Sequence, residues 1–511
     1  MPAANRPLRR SGAWWIALAA AAHHTGGLIR MRSTLTFLGS GAENTPALSG
    51  AGVRWHAVLP VLWEQPHVSA AITHLTEVLA DFPGSSLTVV TTGREEQERD
   101  HLAARLDGIS ARQITAARFP RLGEDQVQAL RKEAAAASGA RLPRGRGRDL
   151  LTQHPTTRQV VEADLAGRRG PVTLRHVHYE GDGRKAAQVN SAVEQMGAFR
   201  DGDYVVVYDV DSRPAAELLH RVAALVGQHR ESHGTHPPVL QHAAEHASTG
   251  AAERGWERAL CRGAARVQTL YTLRREMPHL RGYTASLTAP GGPATRLRRR
   301  GLAQPVGHGL FIRLDVYRQL GGLPTFSVLD DVPFGYLLTL REVPVEVVAR
   351  TYTVAAPDTL GELLAQSARW FHSYLDYPAC ARHWRERGSA AAHAKALSIA
   401  GWRGSTWLLA SPATAACLVI AANPRAPRAA RAAAVAALIT GIAAPVGLLA
   451  RRDGTGLGPV AVAGQITETT AAYLIRSAGP ILALAGALRG APALSPKSSR
   501  RPTAAEGGEA L

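Results

Sequence analysis

Cysteine is scarce in this chain: there are three in 511 residues, Cys261, Cys380 and Cys417, far apart and without a Cys-x-x-Cys. That excludes a disulfide framework and a thiolate-based structural zinc site. Cys417 lies in an apolar run and reads as a small hydrophobe. Acids are also in deficit. Lys and Arg number 59 against 41 Asp and Glu, a net charge of +18. Such a surplus suits polyanionic partners: nucleic acid, an anionic membrane surface or nucleotide phosphates. It is mostly Arg in an Ala-rich chain, which a genome-wide compositional bias also produces, so charge alone selects none of the three. Charged residues at 20% and hydrophobic residues at 45% fit a folded protein with sizeable cores. The length allows one large domain with additions, or about two to three domains.

What is present is a run from Tyr204 through Val205, Val206 and Val207 to Tyr208, followed by Asp209, Val210 and Asp211. A continuous aromatic and β-branched run suits the centre of a parallel sheet. It ends in two carboxylates one residue apart. Open α/β sheets bind ligands just beyond the carboxyl ends of their strands. Two acids there are destabilising unless neutralised, and a hard divalent cation carrying a diphosphate would do so. A strand running into a polar turn gives the same pattern, so the rest of the chain has to decide.

Residues 1–50 begin with Arg6, Arg9 and Arg10, then the apolar stretch Trp14 to Ala22, ended by His23 and His24. An uncleaved anchor, a signal-like segment and an interfacial helix all fit. Gly39 to Gly52 reads as a linker. From Trp55 a strand (56–64), a helix (68–79) and a strand (87–90) form a βαβ unit. Residues 101–150 start helical and decay into an Ala-rich and Arg/Gly-rich excursion. A strand at 172–177 and a helix at 185–199 precede the Tyr204 strand, and a helix at 218–229 follows it. Arg281 to Arg300 reads as a loop or as disorder. Further on come Gly307-His308-Gly309, Gly321-Gly322, Asp330-Asp331, a helix (332–340), a strand (343–348) and a helix (359–374). After Gly404, residues 405–422 and 432–450 are apolar and long enough to cross a bilayer of about 30 Å. Residues 457–475, interrupted by Gln465 and Glu468, and 478–488 are weaker versions. Arg425, Arg428 and Arg431 lie between the first pair, and Arg451 and Arg452 follow the second, leaving orientation open. The tail after Ser495 is polar and reads as disordered.

The order of these pieces resembles glycosyltransferase family 2, over roughly Trp55 to Tyr377. The matching residues are Pro60 and Glu64 after the first strand, Gly183-Arg184-Lys185 through Asn190, Asp209 and Asp211, Asp330-Asp331, and Gln366, Arg369 and Trp370 in a Gln-x-x-Arg-Trp. The resemblance implies an α/β, GT-A (Rossmann-like) nucleotide-sugar-binding domain followed by transmembrane helices. It implies inverting transfer of a sugar from a nucleoside diphosphate to a hydroxyl, with Mg2+ or Mn2+. Asp211 is then the direct metal ligand, with Asp209 near the ribose or metal. Asp331 is the base, with Asp330 as the alternative. Donor binding falls to Pro60, Glu64, Thr91, Thr92, Lys185, Asn190, Asp209, Gln366, Arg369 and Trp370.

The chemistry suits the residue types. A diphosphate leaving group needs neutralising, which a bound metal and Lys185 supply. The attacking hydroxyl must lose a proton, which a carboxylate opposite the leaving group accepts. Asp331 equally suits a helix N-cap, and the two roles are compatible. An Arg grips a diphosphate bidentately, while an indole offers a face to a sugar. An amphipathic helix on a membrane would also place Trp370 and Arg369 as interfacial anchors. Two departures bear on the nucleotide. The second strand ends in Thr91 and Thr92 where the family has an Asp that reads the base, and Trp63 stands where an Asn is common.

His242, Glu245 and His246 fit an H-x-x-E-H zinc pattern with no third ligand in view. Arg141 to Arg148 and Arg296 to Arg300 lack the interleaved aromatics of a nucleic-acid surface. The expected organisation is an N-terminal segment and linker (1–50), a catalytic domain (51–385), membrane helices (400–490) and a disordered tail (491–511). The expected protein is a multi-pass enzyme of the cell membrane with a cytoplasmic catalytic domain. Its partners are a sugar-nucleotide donor, a carbohydrate or lipid-linked acceptor and membrane lipids, without nucleic acid. The rivals are an inactive relative serving as a membrane scaffold and a basic nucleic-acid-binding protein.

Overall fold

The computed structural model describes residues 8–43, 52–115, 118–119, 121–181, 183–248, 254–288, 290–292, 301–327, 329–454 and 457–490. In chain order the strands are β1 (Arg54–Pro60), β2 (Ser86–Thr92), β3 (Thr173–Tyr179), β4 (Asp203–Val207), β5 (Val239–Ala247), β6 (Leu310–Arg313) and β7 (Glu346–Ala355). Two compact units divide them. One is drawn from Leu48–His236 and Gly307–Asp330, the other from Met1–Ala47, Pro237–Val306 and Asp331–Ser495.

In the first unit the strand order is β3-β2-β1-β4-β6. β1 pairs with β2 and β4 in parallel, β2 with β3 in parallel, and β6 runs antiparallel to β4. All five residues of β4 and all seven of β2 are buried. This is why both read as unbroken Val-, Thr- and Tyr-rich runs rather than alternating ones. Trp55 of β1 anchors the core, with its ring 5.4–5.9 Å from those of Phe82, Tyr204 and Phe311.

At the opposite edge from the strand ends, Arg54 Nε donates to Asp203 Oδ1 at 2.7 Å and Nη2 donates to Oδ2. Asp203 is 1% exposed. Burial pushes its carboxyl up, but the bonds from Arg54 and from the Arg200 N–H outweigh burial and hold it below the usual range.

The segment expected as a solvated excursion is packed. Leu102, Leu106, Ile114, Phe119, Leu130, Leu142 and Leu151 bury together with Trp63. Short helices, Glu124–Ala136 and Arg146–Thr152, and a 3-10 turn at Ala111–Gln113 carry these residues. The turns between them break any single period, which hides the core in the sequence.

In the second unit a 36-residue helix, Leu8–Glu43, extends well past the apolar stretch that marks it in the sequence. Ala17 of this helix buries with Cys417, Ile420, Ala430, Ala434 and Ala437. Small side chains let these helices approach closely. Arg428–Arg452 and Pro459–Leu488 are long and apolar enough to cross a membrane. Ala390–Leu408 with Ala410–Ala422, bent by 50°, makes a third if counted as one span. Glu468, the interruption in the second of these, is paired with Arg262 and Arg266 of the helix Gly255–Tyr271. Part of Arg281 to Arg300 is helical, in Met277–Leu287, and 293–300 lies outside the described residues, as does the tail from 491. β5 and β7 pair in parallel. His242, Glu245 and His246 lie on β5, where Glu245 bonds Thr351 and Arg452. Among the described residues no group of three or more His, Cys, Asp or Glu could hold a metal.

Asp203→Ala leaves the Arg54 guanidinium without its carboxylate. The expected loss is about 3 kcal/mol, read as a lower thermal midpoint of the detergent-solubilised chain. The pair contributes fully above the unfolded carboxyl pKa of about 4 and fades as pH falls through the lower folded value. An Asp203→Asn chain that loses stability as steeply as the wild type between about pH 4 and pH 2 contradicts that assignment.

Candidate active site

The strand order carries the first argument. The chain lays down β1, β2 and β3 in one direction, then returns to place β4 on the other side of β1. Sheet order therefore reverses between β1 and β4, and the crevice beyond the carboxyl ends of such a pair is where open α/β sheets bind ligands. Pro60 ends β1 and Val207 ends β4. Both acids of the Asp-x-Asp follow β4, after Tyr208.

Pro60 fits here because pairing between β1 and β4 stops at Val58 opposite Val207, so its missing N–H breaks no ladder. The chain then turns through Trp63 at φ 58°. That left-handed conformation is one Asn adopts more readily than bulky residues. Here the turn is held otherwise. Trp63 N donates to Glu95 Oε2 at 3.2 Å and Nε1 to Glu98 Oε2 at 2.7 Å. The Arg99 and Arg121 guanidinium groups lie 5.5 and 5.4 Å from the indole centroid. Buried Glu95 also accepts from Gln65 Nε2 at 2.6 Å and from Thr157 N at 3.0 Å. Glu64 N donates to Thr157 Oγ1 at 3.1 Å, and Glu64 O starts the helix Val68–Leu79 by accepting from Val68 N.

At the end of β2, Thr91 Oγ1 lies 2.8 Å from His176 Nε2 and 2.9 Å from His178 Nδ1, both on β3. Thr92 Oγ1 donates to Gly181 O and accepts from Arg94 N, each at 3.3 Å. Burial holds the His176 imidazole below its ordinary pKa, with Glu162 opposing. The two histidines were missed from sequence, although their spacing of two on a strand puts them on one face.

Lys185 begins the helix Lys185–Glu194. Its Nζ donates to Asp209 Oδ1 at 2.7 Å and to Gly307 O. β6 brings Gly307 here. It runs antiparallel from the end of β4, with Gly309 N donating to Val207 O at 3.0 Å. A side chain at Gly307 would lie 3.2 Å from Asp330 Oδ1 and 3.7 Å from Lys185 Nζ. Thus Asp209, Lys185 and the buried Asp330 gather around one glycine. Asp209 N donates to Ser212 Oγ at 3.2 Å, which closes the turn that carries half-buried Asp211.

Asn190 is engaged differently. Its Nδ2 donates to Leu323 O and its Oδ1 accepts from Leu323 N, both at 2.9 Å, and from the Tyr317 hydroxyl. The side chain clamps the Gly321-Gly322 turn. Gly322, at φ 81°, has room only for hydrogen, since a Cβ would meet Asn190 Oδ1 at 2.8 Å.

Asp331, Gln366, Arg369 and Trp370 belong to the other unit. Asp331 opens the helix Asp331–Leu340, its Oδ1 accepting from Val332 N at 2.8 Å. Gln366 and Trp370, one turn apart on the helix Leu360–His383, line a largely apolar cavity with His246, Trp407 and Arg476. The Trp370 ring stands edge-on to His246 at 6.1 Å. Arg369 is not among the described residues lining it.

The donor set beyond β4 fits a hard divalent ion. Asp209 and Asp211 offer oxygen ligands only, and they are too few to saturate an ion. This is the pattern of Mg2+-type sites completed by substrate phosphates and water.

No family model matches the chain, and no curated protein matches it. Among solved structures it is similar to the mannosyltransferase PcManGT from Pyrobaculum calidifontis, in complex with GDP-Man and Mn2+. The two are 16% identical, the match covers 92% of this chain and 99% of that one, and the TM-score is 0.39. A likeness of that degree decides neither the fold family nor the activity of this chain.

Glu95→Gln weakens the acceptor on which Trp63, Gln65 and Thr157 converge. The expected cost is about 1–3 kcal/mol, together with faster limited proteolysis in residues 61–67. Unchanged cleavage there contradicts the role given to Glu95.

Proposed function

We propose that the chain is an inverting, metal-dependent glycosyltransferase of family 2 type with a GT-A domain. It moves a sugar from a nucleoside-diphosphate sugar to a hydroxyl of a carbohydrate or lipid-linked acceptor. The observation that carries this reading is the position of Asp209 and Asp211, past β4 at the reversal of strand order, with Lys185 bonded to Asp209. A site for a neutral ligand has no need of two carboxylates and a lysine there. A site for a metal-bound diphosphate does.

In this reading Asp211 and Asp209 hold Mg2+ or Mn2+, which supplies Lewis-acid stabilisation of the diphosphate. Lys185 orients Asp209 through its hydrogen bond and adds positive charge for the leaving group. Thr91 and Thr92, with His176 and His178 behind Thr91, present hydroxyls in place of the missing base-reading Asp. Pro60 and Glu64 shape the loop over the nucleotide. Asn190 acts through the turn it clamps. Asp331 accepts the acceptor's proton, with Asp330 as the alternative base. Arg369 grips the diphosphate, and Gln366 and Trp370 contact sugar along their cavity. The apolar helices anchor the enzyme in the membrane as a multi-pass protein, with the catalytic unit on the cytoplasmic side where sugar nucleotides are made.

The test is a screen of sugar nucleotides with the full chain in detergent, reading release of nucleoside diphosphate with Mg2+ or Mn2+. One donor is expected to turn over. Asp211→Ala and Asp331→Asn are each expected to reduce turnover by about a hundredfold or more. Full transfer by Asp331→Asn contradicts the base, and no metal-dependent turnover of any donor contradicts the enzyme.

A further inference from the structure

The second unit contains an open cavity of about 470 Å³, within the usual range for small-ligand sites. Four cationic side chains line it: Arg30 from the N-terminal helix, Arg275 from the segment before Met277–Leu287, and Lys395 and Arg403 from Ala390–Leu408. His23 and His279 line it as well, and among the described residues lining it none is an Asp or Glu. The guanidinium groups bond to neutral partners. Arg30 Nε donates to Arg274 O at 3.2 Å, Arg275 to the His23 imidazole, and Arg403 Nη1 to Gln304 Oε1 at 2.6 Å. Arg403 is only 7% exposed.

Gathering like charges out of water is unfavourable unless an opposite charge joins them. Burial first, and then Arg403, Arg275 and Arg30, hold the His279 imidazole far below its ordinary pKa. Arg275 is likewise lowered, by burial first and also by Arg30, Arg274 and Arg403. Arg side chains converging from three segments suit a tetrahedral oxyanion, which accepts several charge-assisted hydrogen bonds at once. Trp402, 63% exposed, stands at the same cavity. An exposed indole beside basic residues is the composition of a membrane-interface site.

We infer that this cavity binds a phosphate-bearing anion, the headgroup of a phospholipid or a soluble phosphate, at a site separate from the Asp209 cluster. The inference is independent of the glycosyltransferase reading. It rests on charge and shape in this unit alone and would stand if no sugar nucleotide turned over.

The test uses the full chain in nanodiscs and in zwitterionic detergent. Native mass spectrometry compares retention of phosphatidic acid with that of phosphatidylcholine, and thermal midpoints are read in inorganic phosphate against chloride at equal ionic strength. The wild type is expected to retain phosphatidic acid preferentially or to gain stability from phosphate. The first outcome identifies a lipid headgroup and the second a soluble source. Arg403→Gln and Lys395→Gln are each expected to weaken the effect by about tenfold, one charge-assisted bond's worth. Lys395, partly exposed on its helix, keeps the test decisive if Arg403→Gln fails to fold. Neither lipid preference nor a phosphate effect in the wild type overturns the inference, as does a preference that Lys395→Gln leaves unchanged.

Discussion

Everything in the first unit that points to chemistry depends on one electrostatic constraint. A fully buried strand, β4, emerges into two carboxylates, and the Lys185 ammonium is bonded to Asp209. Carboxylates at a sheet end are tolerated when cations neutralise them. The Arg213 guanidinium also lies here, bonding Val210 O at 2.6 Å and Ser212 O at 3.0 Å on either side of Asp211. The glycine at 307 is part of the same arrangement, since a Cβ there would press on Asp330 Oδ1 at 3.2 Å and touch Lys185 Nζ at 3.7 Å.

The parallel strands were legible because burial on both faces writes itself as an uninterrupted apolar run. Residues 204–207 and 87–90 lie inside β4 and β2, whose limits extend by only one or two residues. β7 was placed three residues too early and too short, at 343–348 rather than Glu346–Ala355. Its burial alternates irregularly and its middle carries Arg350 and Thr351. Hidden altogether was the apolar cluster of residues 102–151, whose members come from several short pieces with no common period.

The candidate site divides in the same way. Asp209 and Asp211 stood out because acidic type and strand-end position agree, and Lys185 only through the resemblance of Gly183-Arg184-Lys185 to a family segment. His176, His178 and Glu95 did not, because their meaning is relational. Thr91 becomes a held hydroxyl only once β3 lies beside β2, and Glu95 becomes an organiser only once the Trp63 turn folds onto its helix. The cationic cavity of the second unit is the extreme case. Arg30, Arg275, Lys395 and Arg403 are more than a hundred residues apart except for the last two, so only the packing of three segments makes them a site. In an Arg-rich chain each reads singly as a solvated surface residue.

The central claim is that the acids beyond β4 take a diphosphate through a divalent cation. The most direct measurement is calorimetric titration of a nucleoside diphosphate into the full chain, with Mn2+ and with chelator. The account predicts binding that requires Mn2+ and weakens by at least about tenfold in Asp209→Asn. Binding of equal strength in chelator, or binding that Asp209→Asn leaves unchanged, would contradict it.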